Sequence, residues 1–377
     1  MPPSSSQKRF LHPECWRFKT DSFRLSVTRE GGHLYPEDFC LPSGKKVSPY
    51  FIAPWKIDLK AYPEARVLGT LRGDFFCMPF GGASTYAGVR HSAHGEGAYA
   101  PWSFQGTEKR EAWSRSRFEL NYKKSSGKIV KEISVRSDEN ILYTEHRLSG
   151  FSGPMTYGHH PNLQLPSDPR SVFLSKSSYL FGQVLDPFEF PSQGGYSSLK
   201  SGALFKKIDS VPLAAGGALD LTTLPVNEGY TDIVTLASDP RIKIGCTTLV
   251  YSKEGFLWFS LKRTKDLPTS VLWLQQGGRH YPPWNGLRGV LGLEETMGLV
   301  GGLEASVKPN LFSQRKIPTH HIFKPNQSIR VPFIQGVCET PQNFQRVKKV
   351  ELLDQEIVFT DEKNQTAKSS VQIDFLN

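Results

Sequence analysis

An all-β chain folded as one large antiparallel sandwich is the class this sequence predicts. Two observations carry that reading. Short β-branched and aromatic segments are separated by turn residues about every 8–12 positions, the spacing of large antiparallel β proteins. Sustained amphipathic helix is scarce. The length of 377 residues admits two ordinary domains or one large all-β domain. Residues 1–12 read as a disordered leader and 13–377 as a single domain.

In chain order, Phe18, Phe23, Leu25 and Val27 lie among polar residues and end at the Gly31-Gly32 turn. Residues 48–56 hold two prolines and three aromatics, which suits a loop and edge strand, with Trp55 in the core or on a pocket wall. The apolar run 71–82 closes on Pro79 and Gly81-Gly82 and reads as a buried strand entering a loop. Its polar exceptions, Arg72 and Asp74, read as a local ion pair. Residues 113–150 are the clearest β region: 118–122 alternates, 125–127 turns, 138–140 turns again, and 141–148 resumes a strand. Residues 213–219 suit a short helix or a loop. Strands resume at 256–261 and 270–274, and the chain past 304 holds more strands.

Composition excludes several classes. Hydrophobic content of 38% with 12% aromatic residues is globular, not disordered. The formal charge of +10 invites a nucleic-acid reading. However, Glu108 and Glu111 interrupt the densest basic stretch (Lys109, Arg110, Arg115, Arg117), and no basic helix or zinc finger accompanies it. Five dispersed cysteines without a CxxC pair indicate reduced thiols in a cytoplasmic protein. No metal site is expected, because no HExxH or zinc-knuckle spacing occurs. No apolar run is long enough for a signal core or a membrane span.

Three stations hold the candidate chemistry. His94-Gly95-Glu96-Gly97 sets a histidine and a glutamate two apart beside glycines, as a turn histidine or a ligand contact. His159-His160-Pro161-Asn162 follows Gly158. Pro161 favours an extended His160, so the two imidazoles point to opposite faces. Leu293-Glu294-Glu295-Thr296 puts two carboxylates after an apolar strand, where alternation turns only one inward and burial raises its pKa. The loop 275–286 adds Arg279, His280 and Trp284 among Gly and Pro, a pattern typical of recognition loops. Trp102 and Trp284 suit core packing or stacking on a sugar face. Asp232 suits a turn cap or a polyol contact.

These stations, in this order, resemble the aldose 1-epimerase (galactose mutarotase-like) superfamily over roughly residues 20–335. The resemblance implies a β-supersandwich with an open sugar cleft on a sheet face. It implies His160 as general acid, Glu294 rather than Glu295 as general base, and His94 as a sugar contact. His159 falls where many members carry asparagine. The implied activity is interconversion of α and β anomers of an aldose without metal or redox cofactor. His159, Arg279, His280, Trp284, Asp232 and Trp102 complete the expected substrate-binding set. The alternatives are a non-catalytic carbohydrate-binding protein on the same fold and a related sugar lyase or hydrolase. The segment 74–81 lacks the arginine that many galactose mutarotases carry, so sugar specificity does not transfer.

Overall fold

The computed structural model describes residues 13–377; the leader expected at 1–12 lies outside the described residues. Two large antiparallel sheets face each other. The nine-stranded sheet centres on Phe256–Arg263, Ser328–Glu339 and Ile141–Ser149, with Ser103–Arg110 at one edge. The eight-stranded sheet centres on Thr231–Ser238, Thr269–Gln275, Val290–Met297 and Tyr157–His159. Asn162–Gln164 pairs further along Val290–Met297. A four-stranded sheet beginning at Cys15–Lys19 adds Phe23, Leu25, Leu34 and Phe39 to the core between the large sheets.

Both faces of the eight-stranded sheet are covered. Along Thr269–Gln275, Leu272 and Leu274 enter the inter-sheet core, whereas Val271 and Trp273 join an outer apolar layer. That two-sided burial is why the segment reads as an uninterrupted apolar run. The outer layer comes from Phe51, Val67, Leu68 and Leu71, in a segment that forms only the short turns Leu59–Ala61 and Arg66–Gly69. Behind the nine-stranded sheet, Ile357 and Phe359 of the C-terminal three-stranded sheet pack with Leu257 and Phe259.

Residues 213–219, open as a short helix or a loop, form the loop and second strand of a small hairpin in which Val211–Pro212 pairs with Ala218–Leu219. Helical turns at Gly302–Val307 and Leu311–Gln314 precede the C-terminal strands. Asn310 caps the second of these through a reciprocal Asn310–Ser313 box.

Gly158 decides how closely the central strands approach. A Cβ there would lie 2.6 Å from the Glu295 carbonyl oxygen and 2.7 Å from Thr296 Cγ2. Tyr157–His159 can therefore lie flat against Val290–Met297, which sets His159 opposite Glu295.

Candidate active site

The register sorts the doubled residues. His159 and Glu295, directly paired across the strands, both project into the inter-sheet core. His160 and Glu294, each one residue on or back, project to the outer face, as alternation requires. There His160 Nε2 lies 3.3 Å from Glu294 Oε1, and each side chain is 5% exposed. Gly292 makes room for this imidazole, since a Cβ there would sit 3.1 Å from His160 Cε1 and 2.9 Å from Trp273.

Aromatic rings fix the His160 ring from several sides. Phe75 stacks on it at 4.5 Å and stacks on His33 at 4.5 Å with its other face. His94 meets it edge-on at 4.9 Å, and Trp273 does so at 6.1 Å. His94 holds a positive φ of 59° and sets Nδ1 3.4 Å from Cys77 Sγ. It is partly exposed, so it links the buried pair to the surface. Its neighbour Glu96 turns away and accepts from the backbone N–H groups of Lys123 and Lys124.

Burial governs the protonation of this pair. Desolvation pushes Glu294 up to about 8. It pushes His160 well below the ordinary histidine range, with His94 adding repulsion. In this closed arrangement at neutral pH burial favours the neutral pair, a protonated Glu294 beside a neutral His160. His94 is lowered to about 4 and His33 to about 3, both by burial.

Asp74 holds the histidine pair from below, a role its expected ion pair with Arg72 did not anticipate. Its carboxylate accepts from His159 Nδ1 at 2.9 Å, from the His160 backbone N–H at 3.0 Å and from Gln335 Nε2 at 2.8 Å. Arg72 instead donates to the Thr70 carbonyl. Gln335 continues the chain of bonds to Tyr50, whose hydroxyl accepts from Trp258. No sequence motif marks Asp74, because its partners come from positions up to 261 residues away. Asp74→Ala strands two buried donors, His159 Nδ1 and Gln335 Nε2, while the His160 N–H keeps the Phe75 carbonyl. It is expected to lower stability by about 2–4 kcal/mol, read from urea midpoints.

Several expected sugar contacts lie elsewhere. His159 is wholly buried in the core, stacked on Phe333 at 4.2 Å, because its position in the strand alternates away from the outer face. Trp102 belongs to the same core and donates to the Gly97 carbonyl. The Asp232 carboxylate is consumed by the backbone N–H groups of Ser198 and Leu199 and by the Ser198 and Asn227 side chains, so it ties loops together. His280 is exposed and lies against Tyr196.

Trp284 and Arg279 do reach the outer layer, beyond Trp273 from His160. Trp284 packs between Trp55 at 4.8 Å and Trp273 at 5.4 Å. Arg279 stands over Trp284 and pairs with buried Glu189 at 2.6 Å. Glu189 also accepts from Tyr281, which fixes the loop. Among the described residues no cluster of His, Cys, Asp and Glu has metal-holding geometry. Among them, too, no helix is long and apolar enough to cross a membrane.

No protein-family model matches the sequence, and no curated protein matches it. Solved structures do resemble its fold. The Slr1438 protein of Synechocystis sp. PCC 6803 aligns over 90% of this chain and 100% of its own, at 16% identity and a TM-score of 0.57. A galactose mutarotase related enzyme from Lactobacillus acidophilus aligns over 88% and 99%, at 13% identity and 0.52. A galactose mutarotase-like protein from Clostridium acetobutylicum aligns over 86% and 95%, at 12% identity and 0.55. On its sheets and on these likenesses, the chain has the galactose mutarotase-like all-β supersandwich fold.

Proposed function

We propose that this protein interconverts the α and β anomers of an aldose, with Glu294 as general base and His160 as general acid. Glu294 takes the proton of the anomeric hydroxyl while His160 protonates the ring oxygen. The C1–O5 bond breaks, giving the open-chain aldehyde; rotation about C1–C2 and closure in reverse yield the other anomer. Electrons and protons balance within the sugar and the two side chains. Each group is worth about 10²–10⁴-fold.

The observation that carries the reading is the 3.3 Å contact of His160 Nε2 with Glu294 Oε1 on one sheet face, beside His94. A sugar must part this pair, and partly exposed His94, edge-on to His160, marks the side from which it approaches. Solvent and sugar hydroxyls then relieve the desolvation of both groups, so the proton held on Glu294 passes to His160, which becomes the acid as Glu294 becomes the base. The names of the fold neighbours agree with a sugar substrate.

A second reading, a sugar-binding protein without turnover, draws on two features: the acid and base touch each other beneath apolar cover, and residues 74–81 contain no arginine.

Proton NMR saturation transfer between anomers decides between them. Free aldoses and hexose 6-phosphates are compared with wild type, buffer and His160→Ala. Exchange faster in wild type than in both controls is the expected result. Sugar-dependent shifts without exchange would replace the enzyme with the binder.

A further inference from the structure

A cavity of 410 Å³ lies where Asn162–Gln164 meets the start of Val290–Met297, and neither His160 nor Glu294 lines it. That volume is within the range of small-molecule sites. Val290 stands four residues from Glu294, about 14 Å along an extended strand. A ligand in this cavity and one at the acid–base pair therefore do not share contacts.

The cavity wall presents unspent hydrogen-bonding groups. Gln276 is 4% exposed; its Oε1 accepts from the Gly289 N–H at 3.4 Å, while its buried Nε2 finds no partner. An unpaired buried amide donor is costly, and a native fold normally satisfies it with water or a ligand. Gln164 is complementary. Its Nε2 donates to the carbonyls of Leu165 and Gly289, and its Oε1 takes no bond among the described residues. Glu228 and Arg288, also lining the cavity, pair with each other and cancel in charge. Pro166, Pro169 and Pro225 supply flat apolar walls.

We propose that this cavity is a second binding site, separate from the acid–base pair, for a neutral glycosyl unit. Sugar hydroxyls both donate and accept, which answers Gln164 and Gln276 together. The C–H face of a pyranose packs on proline rings. A phosphate would meet the Glu228 carboxylate, and a cation the Arg288 guanidinium. The proposal stands whether or not His160 and Glu294 turn over a substrate.

Methyl glycosides test it cleanly, because an alkylated anomeric oxygen cannot mutarotate. Saturation-transfer-difference NMR with the full chain would use methyl α- and β-glucopyranosides and galactopyranosides, with N-acetylalanine methylamide as the peptide-like comparison. At least one glycoside is expected to bind. Its affinity should fall about tenfold or more in Gln276→Leu, through the lost polar contact. Ser167→Trp, at an exposed cavity-lining position, should block binding without touching the core; it carries the test alone if Gln276→Leu does not fold. His160→Ala should leave binding unchanged. The proposal is overturned if no glycoside binds, if binding survives Ser167→Trp, if His160→Ala abolishes it, or if only the amide binds.

Discussion

Glu294→Gln is expected to cut anomer exchange about 10²–10⁴-fold and, in the same protein, to raise stability at alkaline pH. The two effects share one cause. Burial lifts the Glu294 carboxyl to about 8, against an ordinary 4.5. Between those values the folded chain keeps a proton that the unfolded chain releases. Stability is therefore full below about pH 4.5 and declines as pH rises through about 8. Glutamine has the same shape and no proton to lose, so it escapes that decline. The expected gain at pH 9 is on the order of 2–4 kcal/mol. The base must be ionised to work, so the wild-type rate should climb with pH on its acidic limb. His160→Ala should match the loss of rate without the gain, because it leaves the carboxyl buried beside a void. Saturation-transfer rates and urea midpoints at pH 5, 7 and 9 read both effects. A wild-type rate in Glu294→Gln would remove this residue from the mechanism.

Glu295→Gln should do the reverse: lower stability by about 3–5 kcal/mol and leave the rate per folded molecule near wild type. Glu295 faces the core, where Lys176 lies 2.9 Å from one oxygen and Lys262 contacts the other. Thr247 donates to the carboxylate at 3.0 Å, and Ser270 also donates to it. Burial alone would raise this carboxyl, but the two ammonium groups prevail and hold it at about 2. Its contribution is therefore present above about pH 4.5 and is lost as pH falls toward 2. Lys262 itself is lowered to about 7 by burial, against the pull of Glu295. Removing the carboxylate charge leaves two buried lysines uncompensated. Changing all three residues together to Met, Met and Leu should recover most of the loss, since a buried ion cluster is seldom better than well-packed apolar groups. Urea unfolding at pH 7 checks both variants. A stable but inactive Glu295→Gln would shift the base assignment by one residue.

Much of the architecture was legible in the chain. Turn residues at short intervals and β-branched runs are local signals, and they sufficed for the all-β class. Alternation likewise required that His159 and His160, and Glu294 and Glu295, face opposite ways, because successive strand residues alternate by stereochemistry alone. Which member faces outward depends on pairing register, and that was set by Gly158 against Glu295 and Thr296. Tertiary structure alone decided the rest. Asp74 became the anchor of both histidines because distant strands delivered His159 and Gln335 to it. Asp232, Trp102 and His280 look like sugar ligands by residue type, yet loops and core packing use the first two, and the third points to solvent. Burial lifts Glu294 to about 8, and the rings packed around its partner His160 include Phe75 and His94, about 200 positions from Glu294 in the chain. A pKa shift of that kind arises from desolvation by whatever packs against the group, and only the folded chain assembles that environment.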